Sequence, residues 1–172
     1  KNENIVQKSQ DFINNKLKKK INNFKFKINY HQKIEKREQI IFGIGGSGKD
    51  KKWDLDNFIK LAIMINKIKN FKIILAGGKE EINDANYIIK CLGANNIDAE
   101  SICELKIKST IPFLLSSKLY VGNDTGFMHL SGCLGIKSFG LFGRTSTNYS
   151  SYNSNIFPIS LPEKDKINVS KP

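Results

Sequence analysis

The residues best suited to chemistry lie in two glycine-bearing segments. The first is Val121-Gly122-Asn123-Asp124-Thr125-Gly126-Phe127-Met128-His129-Leu130, where an acid, a hydroxyl and a glycine stand between a predicted strand and a predicted helix. At such a junction Thr125 and Gly126 present backbone N–H groups and the positive end of the helix, an ordinary receptor for a phosphate. His129 falls in the first helical turn, near the same anion, although the position equally suits a hydrogen-bonded core histidine. The second segment is Gly43-Ile44-Gly45-Gly46-Ser47-Gly48-Lys49-Asp50, followed by Lys51-Lys52-Trp53. Gly43, Gly45 and Gly48 satisfy the dinucleotide fingerprint, and Gly43, Gly48 and Lys49 satisfy a P-loop except at its last position. There Asp50 replaces the hydroxyl that binds magnesium. The dinucleotide reading in turn lacks an acid about 20 residues on, at the end of the second strand. Common to both is a run, Gly46-Ser47-Gly48, that exposes backbone N–H groups to an anion. A tight turn without a ligand is the plain alternative.

Strands and helices must hold these segments in place. Ile40-Ile41-Phe42 reads as a buried strand running into the first glycine loop. Asp54 and Asp56 then open a helix that is apolar over a wide face, from Phe58 to Ile68. A second strand, 71–76, stops at Gly77-Gly78. Helix 80–92 follows, with acidic residues in its first turn and Gly93 as its stop. A weaker strand over 97–103, a helix over 111–117, a strand over 119–121, a helix over 127–134 and a strand over 138–142 complete the alternation. This pattern predicts an α/β fold with a mainly parallel, doubly wound sheet covered on both faces. Residues 1–38 are polar, with Ile5, Phe12, Ile13, Leu17 and Ile21 at helical spacing, and read as an amphipathic helix and linker. The chain thus divides into 1–38, a Rossmann-like domain over 39–150 and a tail over 151–172, the last read as loop plus an edge element.

Composition narrows the classes. The 172 residues are 40% apolar and 26% charged, enough for one domain with a real core. The three cysteines sit at no metal-ligand spacing and form no disulfide framework, so a reduced, cytoplasmic setting is expected. No apolar run approaches the ~20 residues of a membrane helix. The chain begins at Lys1 rather than Met, from which a fragment of a longer protein is expected. The net charge of +12 is lopsided: residues 1–72 carry 18 basic against 7 acidic groups, the remainder 10 against 9. Lysine supplies nearly all of it, whereas nucleic-acid sites lean on arginine and interleaved aromatics. A solvated lysine face is favoured over a specific nucleic-acid site. A lysine-rich anion-binding module without catalysis, facing an anionic substrate or membrane surface, stays as an alternative, beside a P-loop-like nucleotide-binding protein.

Asn123-Asp124-Thr125-Gly126-Phe127-Met128-His129-Leu130, with Leu134-Gly135-Ile136 and Leu141-Phe142-Gly143 after it, resembles the D-T/S-G-x-x-H-L signature of the glycosyltransferase family 9 heptosyltransferases. Lys51-Lys52-Trp53 is similar to that family's K-x-W, and a strand ending in Gly-Gly before an acidic helix start agrees in order. The resemblance implies the C-terminal, donor-binding half of a two-domain GT-B enzyme. That enzyme would transfer heptose from an ADP-heptose donor to a lipopolysaccharide core, inverting the anomeric centre, with no cofactor and no required metal. Carried over by position, it implies that Asp124, Thr125, Gly126 and His129 hold the diphosphate and sugar, that Lys51 neutralises the leaving group and that Glu81 (or Glu80) holds the adenosine ribose. The implied partners are a nucleotide-sugar, a lipopolysaccharide-type acceptor and an N-terminal acceptor-binding domain. That domain would supply the catalytic base, so no catalytic residue is expected in this chain and little turnover without it. Peripheral contact with the inner face of the inner membrane fits the same picture.

Overall fold

The computed structural model describes residues 5–20, 26–48, 51–143 and 152–160. Lys49 and Asp50, which carry the P-loop match, lie outside these residues, as does Ile21. A helix, α1 (Ile5–Lys16), precedes the domain proper. The domain then runs β1 (Gln39–Gly43), α2 (Leu55–Ile68), β2 (Lys72–Ala76), a 3₁₀ turn (Lys79–Glu81), α3 (Ile82–Gly93), β3 (Ala99–Ser101), α4 (Ile107–Ser116), β4 (Leu119–Asn123), α5 (Gly126–Cys133), β5 (Ser138–Phe142) and β6 (Ile156–Ser160). All strand pairs are parallel, in the order β3-β2-β1-β4-β5-β6. The order reverses between β1 and β4, and such a switch point opens a crevice beyond the carboxyl ends of the strands.

Burial follows from the apolar runs. All five residues of β1 are buried, as a central parallel strand requires. Ile40, Phe42, Leu75, Phe58, Ile88 and Leu92 form the core on the α2/α3 face, and Ile41, Ile74, Tyr120, Met128 and Phe142 form the core on the other. Truncating Phe42, fully buried, to alanine would cost about 3–5 kcal/mol. Helix α2 starts where its cap dictates, the Asp54 carboxylate accepting from the Asp56 N–H at 2.9 Å. Helix α4 begins at Ile107, a turn before the expected start at 111. Pro112 reads as a helix opening in sequence, but Thr110 Oγ1, donating to the Ile107 carbonyl at 2.7 Å, lies in a turn formed ahead of it.

The segment before β1 is fastened to the domain. Ile28 N–H donates to the Cys133 carbonyl at 2.8 Å and Arg37 N–H to the Ser116 carbonyl at 2.7 Å. The Lys36 ammonium reaches the Ser117 carbonyl at 2.6 Å. Beyond the last loop, β6 pairs with β5 from Ile156↔Ser138 to Ser160↔Phe142 and forms the sheet's outer edge.

Candidate functional site

At the switch point the ends of β1 and β4 approach closely. Gly43 and Gly122 are register partners. A Cβ at 43 would fall 1.7 Å from the Tyr120 hydroxyl oxygen, and one at 122 would fall 2.4 Å from the Gly43 carbonyl oxygen. Only glycine fits at either place. Directly above them lies a cavity of about 480 Å³, walled by residues 45–47 after β1, 77–81 after β2 and 124–127 at the start of α5.

Asn123, fully buried at the end of β4, holds two of these walls together. Its Nδ2 donates to the carbonyls of Ile44 at 3.1 Å and Gly45 at 2.9 Å, and its Oδ1 accepts from the Trp53 N–H at 2.9 Å. The glycine loop and the Lys51-Lys52-Trp53 turn are therefore both tied to the residue preceding Asp124. Tyr120 braces the same corner from below. Its hydroxyl donates to the Asn123 carbonyl at 3.2 Å and lies 3.4 Å from Thr125 Oγ1. Complete burial pushes the Tyr120 phenol well above its ordinary pKa, so it stays protonated as a donor.

Thr125 is the N-cap residue of α5, in extended conformation, with helical hydrogen bonds starting at the Met128 and His129 N–H groups that it accepts. The N–H groups of Gly126 and Phe127 at the cavity wall belong to the first turn, whose donors have no intrahelical acceptor. With the helix dipole, they make this wall receptive to an anion.

Of the residues singled out in sequence, Gly46, Ser47, Glu80, Glu81, Asp124, Thr125 and Gly126 line the one cavity. Gly48, Lys51 and His129 are not in its wall. Glu81 is buried and already engaged: Oε2 accepts from the Gly78 N–H at 2.7 Å and Oε1 pairs with Lys52 Nζ at 2.8 Å. Lys52 also stands 3.7 Å from Asp84, and the Glu81 hydrogen bond holds its ammonium above the usual lysine pKa. The Lys51 N–H donates to the Gly48 carbonyl at 3.2 Å. Among the described residues α2 begins at Leu55.

His129 sits behind Asp124, its Nε2 3.5 Å from Asp124 Oδ1. Its Nδ1 is hydrogen bonded to the Tyr152 hydroxyl, and the two rings stack at 5.6 Å. Burial pushes the Tyr152 phenol up to about 12. Asn123, Lys52 and Tyr152 are the residues whose roles sequence reasoning missed. A buried amide at a strand end beside D-T-G is a signal for Asn123, whereas nothing in the sequence links Tyr152 to His129.

A glycine-walled cavity at the switch point of a parallel sheet, with a helix N-terminus in its wall, is the arrangement of the Rossmann-like α/β class. Comparison makes the class particular: residues 2–172 match the family model described as glycosyltransferase family 9 (heptosyltransferase), and the chain belongs to that family. The lipooligosaccharide heptosyltransferase 2 of Campylobacter jejuni is 31% identical over 161 residues, covering 88% of this chain and 50% of the relative. The chain thus spans about half the length of the curated relatives it matches. Among solved structures, E. coli heptosyltransferase WaaC with ADP superimposes with a TM-score of 0.67 at 19% identity, over 77% of this chain and 40% of that one. E. coli ADP-heptose lps heptosyltransferase II gives 0.63 at 19% identity, over 73% and 40%. These neighbours share the fold, which is the Rossmann-like α/β sheet expected from the sequence.

Proposed function

We propose that this chain is the donor-binding half of a heptosyltransferase, holding an ADP-sugar of the ADP-heptose type for inverting transfer to a lipopolysaccharide core. The carrying observation is the convergence of residues 45–47, 77–81 and 124–127 on one cavity, with the N-terminus of α5 in its wall. The diphosphate lies against the Gly126 and Phe127 N–H groups and the 45–47 loop, and the ribose lies toward Glu80 and Glu81. Asp124 takes sugar hydroxyls. Cleavage of the glycosidic C–O bond builds negative charge on the departing diphosphate. Fixed N–H dipoles stabilise that charge more in the transition state than before it.

Lysine chemistry divides between neighbours. Lys52 is committed to Glu81 and Asp84. Lys51 has no side-chain hydrogen bond or ion pair among the described residues, and swings to the leaving group from the turn at Gly48. With N–H dipoles and a lysine neutralising the diphosphate, the reading assigns no metal to the step. The acceptor and the catalytic base belong to an N-terminal acceptor-binding domain, and turnover requires both halves. The basic residues of 1–72 suit peripheral contact with an anionic cytoplasmic membrane face; among the described residues no helix is long and apolar enough to cross a membrane.

Titration calorimetry tests the reading. ADP is expected to bind at least about tenfold tighter than adenosine, since charge-assisted hydrogen bonds to the diphosphate separate the two ligands. Equal affinities would contradict it.

A further inference from the structure

We propose that Tyr152 is a positioning residue of this site: its phenol fixes the tautomer of His129 and, through it, the seat of the Asp124 carboxylate at the cavity wall. Its consequence for ligand binding rests on the donor-site reading above; the placement of the protons rests on geometry alone. Tyr152 precedes β6, remote in sequence from the D-T-G motif, yet its hydroxyl meets His129 Nδ1 and its ring lies on the imidazole with an interplanar angle of 23°. The other ring nitrogen faces Asp124 Oδ1 at 3.5 Å.

An ionised carboxylate only accepts hydrogen bonds, so of the two tautomers of an imidazole the one with its proton on the nitrogen facing Asp124 suits this neighbour. Nε2 therefore carries the proton, Nδ1 keeps the lone pair, and the phenol is the donor. Burial favours that arrangement by keeping the phenol protonated. The string then runs one way, from the Tyr152 O–H to Nδ1 and from Nε2–H to Asp124.

Anchoring comes from the opposite side. Phe26 packs edge-on against Tyr152, with ring centroids 4.9 Å apart, and Ile28 on the same segment is tied to the Cys133 carbonyl at the end of α5. The segment that carries Phe26 is thus fastened to the helix that bears His129. Asp124 is nearly buried, its side chain 12% exposed, and stands where a diphosphate would approach. An N–H facing it at 3.5 Å offsets part of its charge on the side away from the ligand.

The test uses the isotope-labelled chain, whose two histidines are His31 and His129. His31 is exposed and reports the solvated tautomer mixture. Long-range proton–nitrogen NMR above the imidazole titration range is expected to place the His129 proton on Nε2, with Nδ1 displaced by the hydrogen bond it accepts. Tyr152→Phe keeps the ring stack and is expected to return Nδ1 to the position seen for His31. Calorimetry is expected to show ADP binding to Tyr152→Phe about fivefold more weakly. In a His129→Ala background the same change is expected to add nothing, because the phenol acts only through the imidazole. A proton on Nδ1, or an equal loss in both backgrounds, overturns the proposal; the second is what a merely structural tyrosine would give. The predicted tautomer together with ADP binding no tighter than adenosine would support the proton string and overturn the donor-site reading.

Discussion

Each end of the sheet's central pair of strands carries a buried side-chain amide. At the amino end Gln39 Nε2 donates to the Phe113 carbonyl at 3.1 Å, Ser116 Oγ at 2.9 Å and Ser117 Oγ at 3.0 Å, sealing the end of α4 onto the start of β1. At the carboxyl end Asn123 spends its hydrogen bonds on two loops, at Ile44-Gly45 and at Trp53, and the space above it stays open as the cavity. The first amide joins a helix to a strand. The second shapes backbone around the cavity. Equivalent chemistry thus stabilises both ends, and the difference lies in what surrounds it: serines that complete the network below, glycines that leave room above.

The contrast is sharpest at the glycines. Gly122→Val is expected to give the largest loss, about 4 kcal/mol or more, because the new side chain meets the Gly43 backbone. Urea denaturation will read it, and failure to fold is the extreme form of the same outcome. Gly126→Ala, where a Cβ meets nothing within 4 Å, is expected to leave stability nearly unchanged.

Next in size is the paired replacement of the amides. Gln39→Leu and Asn123→Leu are each expected to cost about 2–4 kcal/mol, since each strands buried partners. Calorimetry separates them: ADP affinity falls more than about tenfold in the Asn123 variant and stays unchanged in the Gln39 variant. Equal effects on affinity would erase the distinction between the two ends.

Lys52→Met is expected to cost about 2 kcal/mol by leaving the buried Glu81 carboxylate without its cation. Because Glu81 raises the lysine pKa on folding, this stabilisation is full below the unfolded lysine value of about 10.4 and disappears as pH rises through the folded value. Denaturation curves of the two proteins should therefore differ at neutral pH and converge in strong alkali. The smallest effect belongs to Glu38, which bridges Lys69 and Lys118 at 2.8 and 2.9 Å at the amino end. The two lysines hold its carboxyl below the usual range, so its contribution is present above the ordinary glutamate pKa and lost as pH falls through the folded value. Its exposure leaves Glu38→Gln without a measurable shift in Tm at neutral pH and physiological salt, and without an effect on ADP affinity.

Much of this architecture was legible in the sequence because local signals agreed with the global fold. Apolar runs ending in glycine marked β1 and β2, and Asp54 marked the start of α2. D-T-G between an apolar run and a helix marked the wall that faces the cavity. Helix α4 begins a turn before its expected start, in a turn that Thr110 bonds to the Ile107 carbonyl ahead of Pro112. The illegible part is what arises only in three dimensions. Asn123 reaches back to residues 44, 45 and 53, Lys52 pairs across loops with Glu81, and Tyr152 arrives at His129 from the segment before β6. No spacing rule encodes such contacts, since the sheet order brings together residues far apart in the chain.

The proposed donor site holds a nucleoside diphosphate at the carboxyl end of the sheet, between the start of α5 and the loop after β1. Backbone amide NMR during titration with ADP tests it most directly. The account predicts saturable shifts concentrated at residues 45–47 and 125–127, with Gln39, Ser116 and Ser138 unmoved. Shifts centred on the amino end, or none at saturating ADP, would contradict it.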